Sequence, residues 1–466
     1  MTAALVVGAA RSGVAVANHL ARHGERVIVT DRRPRAELES AIARLPAGAE
    51  LRLGGYDDSV LSGVDTVYVS PGVPWDAELL NHARARGIPV SSEIDLFLKL
   101  CPGTVVGITG TNGKTTTTAL AGDVLAEGDR PVMVGGNIGE TVLDRLPELT
   151  PEHWVVLELS SFQLESVERP RLHVGVILNV TPDHLDRHGT FERYAEIKGK
   201  IVEFAGADDF AVLNGRDETC RRLASKTRAH VVWFDQHEPV PPMPIPGRHN
   251  LENALAAAAI GRIAGLSDDA INRAIAGFKG VEHRLELVGE WRGVRWYNDS
   301  KATNPDAGRV ALTAFPGTQL ILIAGGYGGG FDLREWVADA LANTAAVILI
   351  GASAAQLAHE LSAHPQVLRA STLEEAVSMA AGLAGRGRSP TGCCFSRPSR
   401  CAQAGSSWSR ARASRSPTTS TSRPSTMRSA RLAGWQLALS LYWCSGESIT
   451  EGFVRWRPRE RWPLAS

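Results

Sequence analysis

Acidic residues are missing from a long stretch near the end of this 466-residue chain: none occurs between Glu375 and Glu447. From Arg386 onward there are fourteen Arg, three Glu and no Lys or Asp, so residues 1–385 carry 36 basic against 47 acidic residues. An acidic body of that kind argues against nucleic acid as the main partner. The six cysteines show no CxxC or zinc-type spacing, so neither a disulfide framework nor a zinc site is indicated. No basic segment precedes an apolar run at Met1, so no signal peptide is expected. The longest apolar stretch near the end, Trp435 to Cys444, is half of what a bilayer span needs (roughly twenty residues). No membrane partner and a cytoplasmic location follow as expectations. Internal repeats are lacking too.

What is present is alternation. Leu5 to Val7 reads as a strand, Gly8 to Gly13 as a turn, Val14 to His23 as a helix and Val27 to Thr30 as a second strand. Thr66 to Ser70 is another strand, closed by Pro71-Gly72. A second unit begins near Glu93, with strands at Thr104 to Thr109, Trp154 to Leu159 and Val174 to Asn179, and an alanine-rich helix from about Asn250 to Ala264. A third begins near Glu282, with strands at Val294 to Asn298, Gln319 to Ala324 and Ala346 to Ile350. Strands separated by helical patterns predict α/β domains with parallel sheets. Expected borders are 1–92, 93–281 and 282–388, with an Arg/Ser-rich tail over 389–466.

The sharpest local signal is Gly110-Thr111-Asn112-Gly113-Lys114-Thr115-Thr116, between a strand and a helix. Backbone N–H groups of such a loop wrap phosphate oxygens, and the following helix N-terminus adds partial positive charge. Lys114 can reach the β- and γ-phosphates, and the Thr115 hydroxyl can hold Mg²⁺. The strict pattern would need Gly at 108, where Ile108 stands, so Gly110 opens a shortened variant. The plain alternative is a glycine turn beside a surface lysine. Glu158, ending an apolar strand, is a candidate magnesium ligand by its hard oxygens, or else a surface carboxylate. Gly8 to Gly13, with Asp31 about twenty residues on, resembles a dinucleotide fingerprint. Ala10 stands at its second glycine position, which weakens an NAD-dependent oxidoreductase reading.

These pieces resemble the Mur ligases, whose GTNGKT loop the folylpolyglutamate synthases share. Gly135 to Gly139, Leu157 to Glu165, Leu178 to Asp186, His249-Asn250, His283-Arg284 and Asn298 to Asn304 occur in the order of the D-glutamate-adding branch. The resemblance covers about residues 1–385. It implies three domains: Rossmann-like for a UDP-sugar substrate, a central P-loop ATPase, and a Rossmann-like third domain for the incoming amino acid. It implies transfer of the ATP γ-phosphoryl group to the carboxylate of UDP-N-acetylmuramoyl-L-alanine, then attack by the amine of D-glutamate. A monomer is expected. Other readings are a ligase for another amino acid such as L-glutamate, or a non-catalytic nucleotide- or UDP-sugar-binding copy.

The resemblance also assigns residues. His184 joins Thr115 and Glu158 as a magnesium ligand, although a turn histidine is the plain alternative. Lys198 matches a lysine that the family carbamylates, which makes an anionic oxygen ligand for a second Mg²⁺; otherwise it is a solvated helix lysine. Asn253, Arg284 and Asp299 match ATP contacts, with Arg284 a planar cation for developing phosphoryl charge. Lys301 and Thr303 match positions near the amino-acid substrate, in a stretch also rich in turn and cap residues. The first glycine turn fits the family's UDP site better than NAD, with Arg11, Ser12, Asp31 and Arg32 as candidates and Ser70, Gly72 and Asn137 on the same substrate.

Two departures stand out. The family usually carries a lysine in the loop Gly325 to Asp332 that helps hold the glutamate carboxylate, where Gly329 aligns. Near residue 390 the family's last strand and helix give way to Arg, Ser, Pro, Cys and Trp, and five of the eleven Trp lie after residue 400. That composition is the product expected of a shifted frame through GC-rich coding DNA; a basic disordered tail is the competing reading. Resequencing the gene across this region separates them. Either way a weakened third domain, with ligation weak or absent and nucleotide binding by the central domain able to survive, is expected.

Overall fold

Aliphatic and β-branched runs buried on both faces favour parallel strands flanked by helices. The computed structural model describes residues 2–234, 239–245, 247, 249–291, 293–302, 305–318, 320–326, 332–384 and 393–395. The described residues separate into two compact units, divided between Val281 and Glu282.

The first unit carries two sheets. One contains β1 (Ala3–Val7), β2 (Arg26–Asp31), β3 (Glu50–Leu53), β4 (Thr66–Val69) and β5 (Val90–Ser92) in the order β3-β2-β1-β4-β5, all parallel. The sheet order reverses about β1, so the crevice beyond the carboxyl ends of β1 and β4 is a switch point where α/β sheets take ligands. The helix Arg11–Arg22 starts there.

The other sheet contains β6 (Thr104–Thr109), β7 (Val132–Gly136), β8 (Trp154–Glu158), β9 (Val174–Ile177), β10 (Phe210–Asn214) and β11 (His230–Phe234), ordered β11-β10-β9-β6-β8-β7. Its order reverses about β6, and the glycine loop leaves the end of that strand. The following helix, Lys114–Leu125, packs against His249–Ile263, whose buried Ala254 to Ala259 allow close approach. Register sets Glu158 opposite Ile108 on one side and Gly136 on the other.

The second unit holds β12 (Glu286–Trp291), β13 (Val294–Asn298), β14 (Leu320–Gly325), β15 (Thr344–Ile350), β16 (Val367–Arg369) and β17 (Cys393–Phe395). β14, β15 and β16 run parallel over the core formed by Ile323, Trp336 and Ile348. Two differences from expectation appear. β12 and β13 are antiparallel, because only two residues join them and a parallel crossover needs a dozen or more. β17 lies inside the stretch expected as tail and pairs with Trp296 to Asn298, as the apolar sequence Cys-Cys-Phe permits. Among the described residues no helix is long and apolar enough to cross a membrane. Gly329, Thr303 and the tail beyond residue 395 lie outside the described residues.

Candidate active site

The loop after β6 is held open by its own backbone. Gly110 and Gly113 take positive φ of 156° and 84°, which side chains disfavour. A Cβ on Gly113 would sit 2.4 Å from Asn253 Oδ1. Asn253 is buried, accepts from the Thr117 hydroxyl at 3.1 Å and donates to Asn250 Oδ1 at 3.0 Å. The candidate nucleotide contact Asn253 therefore lies against the loop it was expected to serve. Gly113 offers no side-chain cap to the helix Lys114–Leu125, so its first N–H groups face outward as anion donors. Thr115 and Thr116 are buried in its first turn. Lys114 Nζ folds back to donate to Gly110 O at 2.9 Å and Thr111 O at 2.7 Å.

Asn179 clamps the same loop. It accepts from Asn112 N at 2.8 Å and donates to Asn112 O at 3.2 Å. The Thr111 hydroxyl donates to Thr181 O at 3.1 Å and lies 3.2 Å from Tyr194 Oη. Neither Asn179 nor Tyr194 was singled out from sequence; the signal available was polar residues inside segments already distinctive.

Lys198 is only 1% exposed. Its Nζ donates to Gly110 O at 2.8 Å and lies 4.7 Å from the Tyr194 ring centre. Burial and then the charge of Lys114 push its pKa well below the ordinary lysine value. A buried amine biased toward its neutral form is also a nucleophile toward carbon dioxide.

Glu158 ends β8, buried, with Oε1 accepting from Asn137 Nδ2 at 3.1 Å. Its Oε2 is buried and has no hydrogen-bond partner among the described residues. A buried carboxylate oxygen without a partner is costly unless a cation satisfies it. His184 begins the short helix Leu185–His188 in the left-handed region, φ 52°, half exposed and 4.9 Å from the Phe162 ring. Among the described residues no group of three or more His, Cys, Asp or Glu is arranged as a metal cage. One carboxylate oxygen without a partner, on the strand beside the phosphate loop, nevertheless fits Mg²⁺, which keeps waters and takes phosphate oxygens.

At the first switch point, the Ser70 hydroxyl donates to Gly8 O at 2.9 Å. A Cβ on Gly13 would come within 1.9 Å of Gly8 O, so the turn closes only with glycine there. Asp31 is buried, accepts from Ala9 N at 2.8 Å and pairs with Arg33 at 2.9 Å. Burial would raise its pKa, but the hydrogen bonds from Arg33 hold it below the ordinary carboxylate value. Arg11, Arg32 and Gly72 are exposed around this turn, with Ser12 half-buried and the Arg32 guanidinium over the Tyr56 ring. Ala10 gives the helix Arg11–Arg22 no side-chain cap, leaving its N–H groups to a ligand.

In the second unit, Asp299 is buried and accepts from Leu285 N at 3.0 Å. Burial raises its pKa to about 7, with Arg284 opposing. Arg284 Nε has no hydrogen-bond partner among the described residues, and it sits between His283 and Leu285, both at positive φ. Such strained, polar backbone is typical of ligand sites. Lys301 is exposed beside them, its N–H donating to His283 O at 3.1 Å.

Three family descriptions match consecutive stretches: "Mur ligase MurD-like, N-terminal domain" over 2–92, "Mur ligase middle domain" over 108–240 and "Mur ligase, glutamate ligase domain" over 283–389. A UDP-N-acetylmuramoylalanine-D-glutamate ligase of Koribacter versatilis is 41% identical over 410 residues, covering 82% of this chain and 90% of that protein. One of Solibacter usitatus is 44% identical over 400 residues, covering 80% and 88%. Among solved structures, MurF from Acinetobacter baumannii superposes with a TM-score of 0.55 at 18% identity, over 85% of this chain and 90% of that one. UDP-N-acetylmuramate-alanine ligase from Thermotoga maritima gives 0.53 at 21%, over 85% and 95%. The structural likeness speaks to fold alone.

Proposed function

The chain belongs to the Mur ligase family, and on that premise we propose that it joins D-glutamate to UDP-N-acetylmuramoyl-L-alanine, converting ATP to ADP and phosphate. The observation that carries the substrate assignment is the likeness to two ligases of that name across four-fifths of the chain. The reaction belongs to the cytoplasm, where ATP is available, and to peptidoglycan precursor synthesis. The domain borders we assign are 1–92 and 93–281, with the third domain running from 282 and, through β17, to residue 395.

A carboxylate is a poor electrophile, so the first step makes it an acyl phosphate, and two anions must meet. The glycine loop and the uncapped helix hold the triphosphate through N–H groups, and Lys114 neutralises charge beside it. Mg²⁺, held by Glu158, His184 and the Thr115 hydroxyl, would supply further neutralisation of phosphate oxygens. Lys198 serves as its carbamate, for which its depressed pKa prepares it. Asn253, Arg284 and Asp299 contact the nucleotide, and Lys301 and Thr303 the amino acid. Arg11, Ser12, Asp31, Arg32, Ser70, Gly72 and Asn137 hold the UDP-linked substrate. The amine of D-glutamate then attacks the acyl carbon and phosphate leaves.

The test is phosphate release by the purified chain with ATP, Mg²⁺ and UDP-N-acetylmuramoyl-L-alanine, without amino acid, with D-glutamate and with L-glutamate. Release that needs D-glutamate is the expected result. Release that needs L-glutamate instead would move the specificity, in keeping with Gly329. Nucleotide binding without release would make the chain a non-catalytic copy.

A further inference from the structure

Arg187 lies between the two candidate sites of the first unit and belongs to neither. Its Nη2 donates to Val73 O at 3.1 Å, crossing from the central sheet's loops to the loop after β4. The same guanidinium pairs with Glu165 Oε2 at 2.7 Å and lies 5.1 Å from the Phe162 ring centre. Both partners of the ion pair are mostly buried, at 16% and 12% exposure. On the far side, Phe162 packs against His184, with ring centres 4.9 Å apart. On the near side, Val73 abuts the glycine turn: its Cγ2 would lie 3.4 Å from a Cβ on Gly8, which also receives the Ser70 hydroxyl through its carbonyl. A continuous chain of contacts therefore runs from the Gly8 turn through Val73, Arg187 and Phe162 to His184.

We propose that Arg187 is a positioning residue that couples occupancy of the nucleotide-sugar crevice at the Gly8 turn to the placement of His184, which follows by three residues the Thr181 contact with Thr111 of the phosphate loop. A planar guanidinium suits the task, because one rigid group can donate to a carbonyl, fork onto a carboxylate and stack on a ring at once. Glu165 fixes its rotation. A ligand that settles against Ser70 and Val73 constrains the Val73 carbonyl, and through it the ring on which His184 rests. Contiguity alone does not establish coupling, so the measurement is of coupling itself.

This inference rests on the ligase reading. Calorimetric titration of the whole chain with a non-hydrolysable ATP analogue, without and with saturating UDP-N-acetylmuramoyl-L-alanine, gives the coupling factor. The expected wild-type factor is at least about fivefold. In Arg187→Met and in Glu165→Gln it falls to nearly one, while the analogue alone binds within about twofold of wild type. Arg187→Lys, which keeps the charge but not the plane, is expected to recover only part. Wild type without coupling, variants that keep it, or variants that lose both affinities and thermal stability together would each overturn the proposal, the last by reducing Arg187 to a structural strut. If wild type binds neither ligand, the ligase reading falls first and this inference with it.

Discussion

At the scale of single residues, two buried carboxylates make opposite demands. Glu158 keeps one oxygen without a partner at the end of β8, beside the phosphate loop. Glu158→Gln removes the charge with little change of volume. Phosphate release is expected to fall by about 100- to 1,000-fold, and its Mg²⁺ titration to shift to higher concentration. Thermal stability holds or rises, since a buried charge without a partner is lost. An unmoved Mg²⁺ titration would take Glu158 out of the site. Glu93 is different: it accepts from Leu143 N at 3.0 Å, and burial raises its pKa from 4.5 to about 7. Between those values the folded chain holds the proton that the unfolded chain has released. Its contribution to stability is thus fully present below pH 4.5 and is lost as pH rises through about 7. Glu93→Gln keeps an acceptor for Leu143 and is expected to raise the melting temperature by several degrees at about pH 8, corresponding to at most about 3 kcal/mol. The gain vanishes toward pH 4.5. Melting curves at both pH values decide, and a gain of equal size at each would refute the assignment.

At the scale of elements, the strand–loop–helix from Thr104 to Leu125 is the most constrained piece. Gly113→Ala must place a Cβ at φ 84° and 2.4 Å from Asn253 Oδ1. The expected cost is about 1–3 kcal/mol of stability, with loss of most nucleotide affinity. Adding Asn253→Ala removes the clash but not the φ strain, so the double variant should melt higher than Gly113→Ala while still binding nucleotide poorly. A Gly113→Ala protein that binds nucleotide normally would show that the loop tolerates another path. This element was legible in sequence because its glycines, lysine and threonines are local necessities. Thr104–Thr109 and Val294–Asn298 are strands with the residues expected. The short, half-buried β3 and β16 lack an apolar run long enough to register, and were not read. Lys198 shows the other limit. Nothing in Tyr194 to Lys200 separates a buried lysine from a solvated one; Thr109 and Gly110, about ninety residues away, bury it. Arg187 and Phe162 went unread for the same reason, since their meaning comes from Val73 and His184.

At the scale of the whole molecule, the two units differ in how they are closed. In the first, every sheet strand except the start of β6 is drawn from sequence that matches the family. In the second, β13 has β17 as its neighbour, only three residues long and starting beyond residue 389, where the match ends. The sequence that follows is rich in Arg and Ser, with no acidic residue before Glu447, and so is poor in the surface needed to cover an apolar sheet. The second unit should therefore be the less stable of the two. On the proposed assignment, ligation draws on Arg284, Asp299 and Lys301 from that unit, whereas the glycine loop and Asn253 lie in the first. Heating is expected to abolish D-glutamate-dependent phosphate release several degrees below the temperature at which binding of an ATP analogue is lost. Phe395→Asp, by charging β17, should widen that gap by lowering the first temperature alone. Both activities can be followed on one sample, by phosphate assay and by a fluorescent nucleotide analogue. Loss of both at a single temperature, in wild type and variant alike, would mean that the units unfold together and that β17 is not the weak closure.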